Sequence, residues 1–213
     1  MANVARNGQV WNFRTIGAGP APSAGDVVLH AGQAATRTGR WSVVADATAA
    51  SGARIATTNA GIRLGASASP ADYFEMAFEA SSGVPYRLWI RGKAQSNSWA
   101  NDSAFVQFDG SVTSAGTATY RIGTTSATAV TIEDCTSCGL SGWGWNDNAI
   151  GTGVLGPEIY FAASGTQRIR VQMREDGLSI DQIVLSRGPY LSSAPGATKN
   201  DGTILPAQGG STE

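Results

Sequence analysis

Residues Tyr86-Arg-Leu-Trp-Ile-Arg91 decide the fold. Tyr86, Leu88 and Ile90 share one parity, and Arg87, Trp89 and Arg91 share the other. Side chains alternate across a strand with a period of two, whereas a helix repeats every 3.6 residues. The stretch therefore predicts a strand with one apolar face. The same period recurs on both sides. In Tyr73–Phe78, Phe74, Met76 and Phe78 point one way. In Arg168–Met173, Ile169, Val171 and Met173 alternate with polar partners. Ser103–Phe108, Thr119–Ile122, Glu158–Phe161 and Ile180–Leu185 read as further strands, and Asp26–Leu29 and Trp41–Val44 open the set. No segment sustains a helical stripe. About ten short strands with turn residues between them predict an all-β domain, a β-sandwich or jelly roll.

The ends read differently. Residues 1–25 are expected to be a leader or linker, because Gly17–Gly25 is a low-complexity Gly/Ala/Pro/Ser run that holds no regular element. Trp11 and Phe13 precede that run and are candidates to dock on the domain. Residues 26–187 form the sandwich. Residues 188–213 carry Pro189, Pro195 and Pro206 and read as a linker or tail that begins by packing through Tyr190 and Leu191.

Composition narrows the function. The net charge of −1 leaves no electrostatic footprint for nucleic acid or an anionic membrane. No apolar run approaches the ~18 residues of a membrane span. Met1–Gln9 has no apolar signal-peptide region. Charged residues make up 15% of the chain against about 25% in ordinary soluble domains, and Gly 27 adds many turns. A neutral, polar surface is expected. Cys135-Thr-Ser-Cys138 lacks the second Cys pair or the histidines that zinc needs, and it lacks the βαβ setting of a redox motif. A short disulfide in an oxidising compartment is expected, with free thiols as the alternative. This favours an extracellular or periplasmic module of a larger protein.

The catalytic inventory is thin. The one histidine, His30, falls inside the first strand. Glu75, Glu133, Asp134, Glu158 and Glu175 supply carboxylates, but none sits in a pattern that singles it out. No glycine cluster lies between a strand and a helix as a phosphate loop requires. No catalytic residue is assigned.

Two loops carry the chemistry of binding. In Gly139-Leu-Ser-Gly-Trp-Gly-Trp-Asn-Asp-Asn148, Trp143 and Trp145 would lie on one face about 7 Å apart if the backbone is extended. An indole stacks on the C–H face of a sugar ring, and amides take its hydroxyls. Trp143, Trp145, Asn146 and Asn148, beside Asp147, are therefore candidate sugar contacts; capping the end of the sandwich is the alternative. Gln95–Asp102 is a second polar loop, with Trp99 and Asn101 as candidates. Asp181 has the parity of Ile183 and Leu185, which places a carboxylate on an apolar face. Such a charge must be paired, hydrogen-bonded or metal-bound, and Ca2+ suits a carboxylate among carbonyls and amides.

Arg174-Glu-Asp-Gly-Leu-Ser-Ile-Asp-Gln-Ile-Val-Leu185 resembles the closing strand of carbohydrate-binding modules of the family 6 and family 35 type, and Trp41–Gly52 is similar to their second conserved region. The resemblance covers roughly residues 26 to 186. It implies a galactose-binding-like β-sandwich, a structural calcium and attachment to a carbohydrate-active enzyme. Asp181 matches the family's last-strand calcium ligand. Gln33 and Ala31 stand where the family has an acidic pair, so the expected metal residues reduce to Asp181 and Gln33. The expected function is a monomeric, non-catalytic module that binds a polysaccharide or oligosaccharide, with neither nucleic acid nor membrane as partner. A structural or protein-interaction module and a glycan hydrolase or lyase are the alternatives.

Overall fold

The computed structural model describes residues 21–210. Trp11 and Phe13 lie outside them. Thirteen strands follow in chain order: Val27–His30 (β1), Thr36–Thr38 (β2), Ser42–Ala45 (β3), Ala53–Ala56 (β4), Tyr73–Ala80 (β5), Arg87–Ala94 (β6) and Ser103–Phe108 (β7). Then come Ser111–Val112 (β8), Thr128–Thr131 (β9), Gly144–Asn146 (β10), Tyr160–Phe161 (β11), Gly165–Met173 (β12) and Leu178–Ser186 (β13). Short 3-10 turns are the only helical elements among the described residues.

Two antiparallel sheets make the sandwich. One runs β10-β6-β13-β4-β3, with β1 also paired to β13. The other runs β2-β5-β12-β7-β9, and β8 and β11 form a small separate ribbon. The expected faces hold. Tyr86, just before β6, Leu88 and Ile90 of β6, and Ile180, Ile183 and Leu185 of β13 meet Phe74, Phe78, Ile169 and Val171 from the facing sheet. Phe161 packs edge-on against Phe78, Tyr86 and Phe108, with ring centroids 5.5, 5.6 and 5.7 Å apart. Edge-to-face pairs of this kind add about 0.5–1.5 kcal/mol each beyond burial.

Three expectations need correction. Thr119–Ile122 is not a strand: Tyr120 takes a φ of 48°, and the segment makes only isolated bridges, Val112 to Ala118 and Phe108 to Arg121. Asp181 does not share the face of Ile183. Between Ile180 and Gln182 the register of β13 on β6 shifts by a bulge, so one extra residue resets the alternation. Residues 188–210 are no free tail. They cross the outer face of the first sheet, where Tyr190 and Leu205 pack with Val28, Trp89, Trp145 and Val184 in a second buried cluster. Trp89 donates its indole N–H to Tyr190 O at 2.7 Å. The Gln182 amide donates to Leu205 O at 2.8 Å and accepts from Leu205 N at 3.1 Å. Gln208 then pairs with Val28 in both directions. Arg87, Trp89 and Arg91, the outward residues of β6, are buried for this reason.

Candidate functional site

The 188–210 segment decides which tryptophans can meet a ligand. Trp143 and Trp145 do share the outward parity of an extended β10, as expected, but both are covered. Trp145 is 0% exposed and Trp143 6%. Trp145 N donates to Ala197 O at 3.0 Å, and Asp201 N donates to Trp143 O at 2.8 Å. The Trp143 indole N–H donates to Thr48 Oγ1 at 2.9 Å, and the Arg91 guanidinium and Lys93 ammonium lie 4.9 and 4.3 Å from its ring centre. Trp143 and Trp145 are therefore corrected from sugar platforms to packing residues. Asn146 and Asn148 are buried as well. The Asn148 amide donates to Pro157 O at 3.2 Å, while the Asp147 carboxylate accepts from Ala149 N and Gly156 N at 2.9 and 2.7 Å. These groups fold the 147–157 loop.

Trp99 is different. It is 66% exposed and is the only exposed aromatic residue among the described ones. It opens a 3-10 turn, Trp99–Asn101, whose Ser98 cap accepts from Ala100 N at 3.3 Å. Gln95, Ser96 and Asn97 beside it are exposed. The loop is fixed from below. Buried Asn101 donates to Gln95 O at 3.1 Å, so it serves as a brace rather than a sugar contact. Gln95 N donates to Gly177 O at 2.9 Å. Gly177 has a φ of 77°, and an added Cβ would lie 2.8 Å from Asn101 Cγ, so only glycine suits the position. From the side, Asn97 Oδ1 accepts from Gly142 N at 3.2 Å. That links the Trp99 loop to the loop carrying the Cys135–Cys138 bridge, which is formed.

Beneath the Trp99 loop lies a carboxyl pair that the sequence did not single out. Asp102 and Glu175 are buried together. Burial, the hydrogen bond with Glu175 and the negative charge of Glu175 and Glu133 push the Asp102 carboxyl up to about 7, against the pull of the Glu133 N–H. Arg63 and Arg174 approach the other Glu175 oxygen at 3.5 and 3.9 Å. Asp102 also accepts from Glu133 N at 3.2 Å, so the pair ties the 95–102, 132–142 and 174–177 segments together. Neither carboxylate lines a cavity described below.

The residues expected to hold calcium do not fit it. Asp181 Oδ1 accepts from Ala50 N at 2.7 Å, and Oδ2 is ion-paired with the buried Arg91 guanidinium. Burial pushes the Asp181 carboxyl up, and Arg91 is its main counterweight. His30 bonds Ser51 Oγ at 2.6 Å and Leu205 O at 3.0 Å. Gln33 is exposed. Among the described residues no group of three or more His, Cys, Asp or Glu could hold a metal ion.

Two hollows remain. One of about 560 Å³ lies at the sandwich edge between β1 and β5, with His30, Gln33, Glu75 and residues 207–210 in its wall and no Trp, Tyr or Phe. It gives a sugar ring no aromatic face. The other, of about 380 Å³, lies on the outer face of the first sheet and reaches Gln95 and Ser96 of the Trp99 loop.

No protein-family model matches the chain, and no curated protein matches it. Solved structures are similar in fold. The family 35-containing β-(1,4)-mannanase of Podospora anserina is 13% identical with a TM-score of 0.45; the match covers 76% of this chain but 27% of the mannanase. The C-terminal family 6 module of a laminarinase from Zobellia galactanivorans is 11% identical with a TM-score of 0.43, over 76% of this chain and 98% of the module. A family 35 module from Clostridium thermocellum is 11% identical with a TM-score of 0.39, over 75% and 97%.

Proposed function

We propose that this chain is a non-catalytic carbohydrate-binding module whose sugar platform is Trp99. The observation that carries the reading is the exposure of that one indole on a braced loop. A large apolar ring left in water forgoes roughly 1.5–3 kcal/mol of burial, so a ring held outward by a rigid loop suits a ligand that will cover it. The pyranose C–H face is such a ligand, and the exposed amides of Gln95 and Asn97 beside it would take its hydroxyls. Binding by one stacked ring and a few hydrogen bonds is modest in strength. The Cys135–Cys138 bridge favours an extracellular or periplasmic setting within a larger protein.

Affinity gel electrophoresis against a panel of polysaccharides tests this. The chain should be retarded by at least one glycan, and Trp99→Ala should abolish the retardation. Unchanged mobility on every glycan, or retardation that survives Trp99→Ala, rejects the assignment. A protein-interaction role is a second reading, favoured by exposed Ile150, Val154 and Leu155 on the 147–157 loop. Association with a protein partner that is lost in Val154→Ser but kept in Trp99→Ala, with no retardation on any glycan, would favour it.

A further inference from the structure

The 380 Å³ hollow on the outer face of the first sheet is the part of that face the 188–210 segment leaves open. Its floor is a row of small side chains across three strands. Ser42 of β3 sits opposite Ala56 of β4, which sits opposite Ser179 of β13. Lys93 of β6 follows in the same row, opposite Ser179. Arg40, Arg54 and Lys93 stand around this floor, Thr57, Thr58, Gln95 and Ser96 close one end, and no Asp or Glu lines it. The volume lies within the roughly 300–1,000 Å³ of ligand clefts.

The basic groups are held in place before any ligand arrives. The Lys93 ammonium is 2.6 Å from Asp46 Oδ2 and sits over the Trp143 ring. Arg54 Nε is 3.0 Å from the same carboxylate, and its Nη1 donates to Ser179 Oγ. Burial acts to raise the Asp46 carboxyl, but the hydrogen bonds from Lys93 and Thr48 hold it well below the usual range, so it stays ionised. Arg40 is 2.6 Å from Asp72. Three cations thus face two carboxylates that lie outside the lining, which leaves the groove with an excess positive charge. Side chains already fixed lose little entropy when they meet an anion, and an arginine fork matches a carboxylate in shape.

We propose that this groove is a subsite for a carboxylated polysaccharide, with a sugar carboxylate taken on the groove side by the Arg54 and Lys93 donors that do not face Asp46, over the Ser42–Ala56–Ser179 floor. The groove ends at Ser96, three residues before Trp99. Three residues span at most about 11 Å, so one short oligosaccharide reaches both. The joint use of groove and indole rests on the Trp99 reading; the groove itself does not.

The test is affinity gel electrophoresis of the intact chain with polygalacturonate, its fully methyl-esterified form and dextran sulfate. The variants are Arg54→Gln, Trp99→Ala and Ser42→Glu. The last adds an acid at an exposed edge position and keeps the fold. Polygalacturonate should retard the chain at least tenfold more strongly than the ester, and Ser42→Glu and Arg54→Gln should each weaken it at least tenfold, Ser42→Glu at unchanged melting temperature. Equal retardation by the ester overturns the proposal, as does a folded Ser42→Glu that still binds fully. Dextran sulfate binding as tightly as polygalacturonate overturns the assignment to carboxylate. If polygalacturonate binding survives Trp99→Ala but not Ser42→Glu, the groove stands and the Trp99 platform falls. If only Trp99→Ala matters, the reverse holds.

Discussion

Gly144 shows how far one residue's role depends on a distant one. A Cβ at that position would overlap the Thr198 carbonyl, so the glycine between Trp143 and Trp145 makes room for the passing C-terminal backbone. The alternation of Trp and Gly was legible as a shared face of an extended strand. The cover over that face was not, because its contacts lie some fifty residues away and the covering residues carry no period. The two kinds of tryptophan should respond oppositely to substitution. Trp145→Ala removes a fully buried indole and should cost about 3–5 kcal/mol in chemical denaturation. Trp99→Ala should stay within about 0.5 kcal/mol of the parent. Asp102 makes a second prediction at this scale. In the folded chain it keeps its proton up to about pH 7, whereas an unfolded aspartate loses it near 4. The folded state holds the extra proton between those values, so the stability it contributes is complete below about pH 4 and lost as pH climbs to about 7. Asp102→Asn keeps a neutral partner for Glu175 and should flatten the fall in melting temperature over that interval. A slope as steep as the parent's would assign the effect elsewhere.

Among the elements, β6 and β13 were the most legible, because long apolar alternation leaves little choice of register. Two features escaped. The bulge at Asp181 has no mark of its own in the sequence, since it depends on how Arg91 opposes two residues of β13 at once. The 188–210 segment reads as a linker because its prolines and small residues form no ladder of their own. Yet its backbone is bonded to β1, β6, β10 and β13 through side chains and single pairs. It therefore acts as a seal. A chain ending at Ser186 should expose Val28, Trp89, Trp145 and Val184 together. Such a patch favours association. The truncated protein should bind a hydrophobic dye and aggregate on size-exclusion chromatography; a dye-free monomer would show the seal to be dispensable.

For the molecule as a whole, the sandwich and its core were readable from period two alone, whereas the site was readable only in part. Trp99 was among the candidates, while the basic groove was not, since Arg40, Arg54, Lys93 and Ser179 come from separate segments that only the sheet order brings together. The stability of the whole should also be indifferent to calcium. Arg91 already supplies the positive charge at Asp181, and breaking such a buried pair by removing one partner typically costs about 3–5 kcal/mol. Calorimetry with excess chelator and then with millimolar calcium should give one melting temperature. A rise of several degrees on adding calcium would contradict this.

The pairing of Gln208 with Val28 has a mechanical meaning. The Gln208 side chain also donates to Ser23 O at 2.6 Å and Asp26 O at 3.1 Å, so the two ends of the described chain lie side by side. Tension applied between them loads a few bonds in sequence instead of shearing the long ladders of β12 and β13 at once. The domain would open like a zip from its closing strap, and in a chain that continues at both ends it would hang beside the line of force as a pendant.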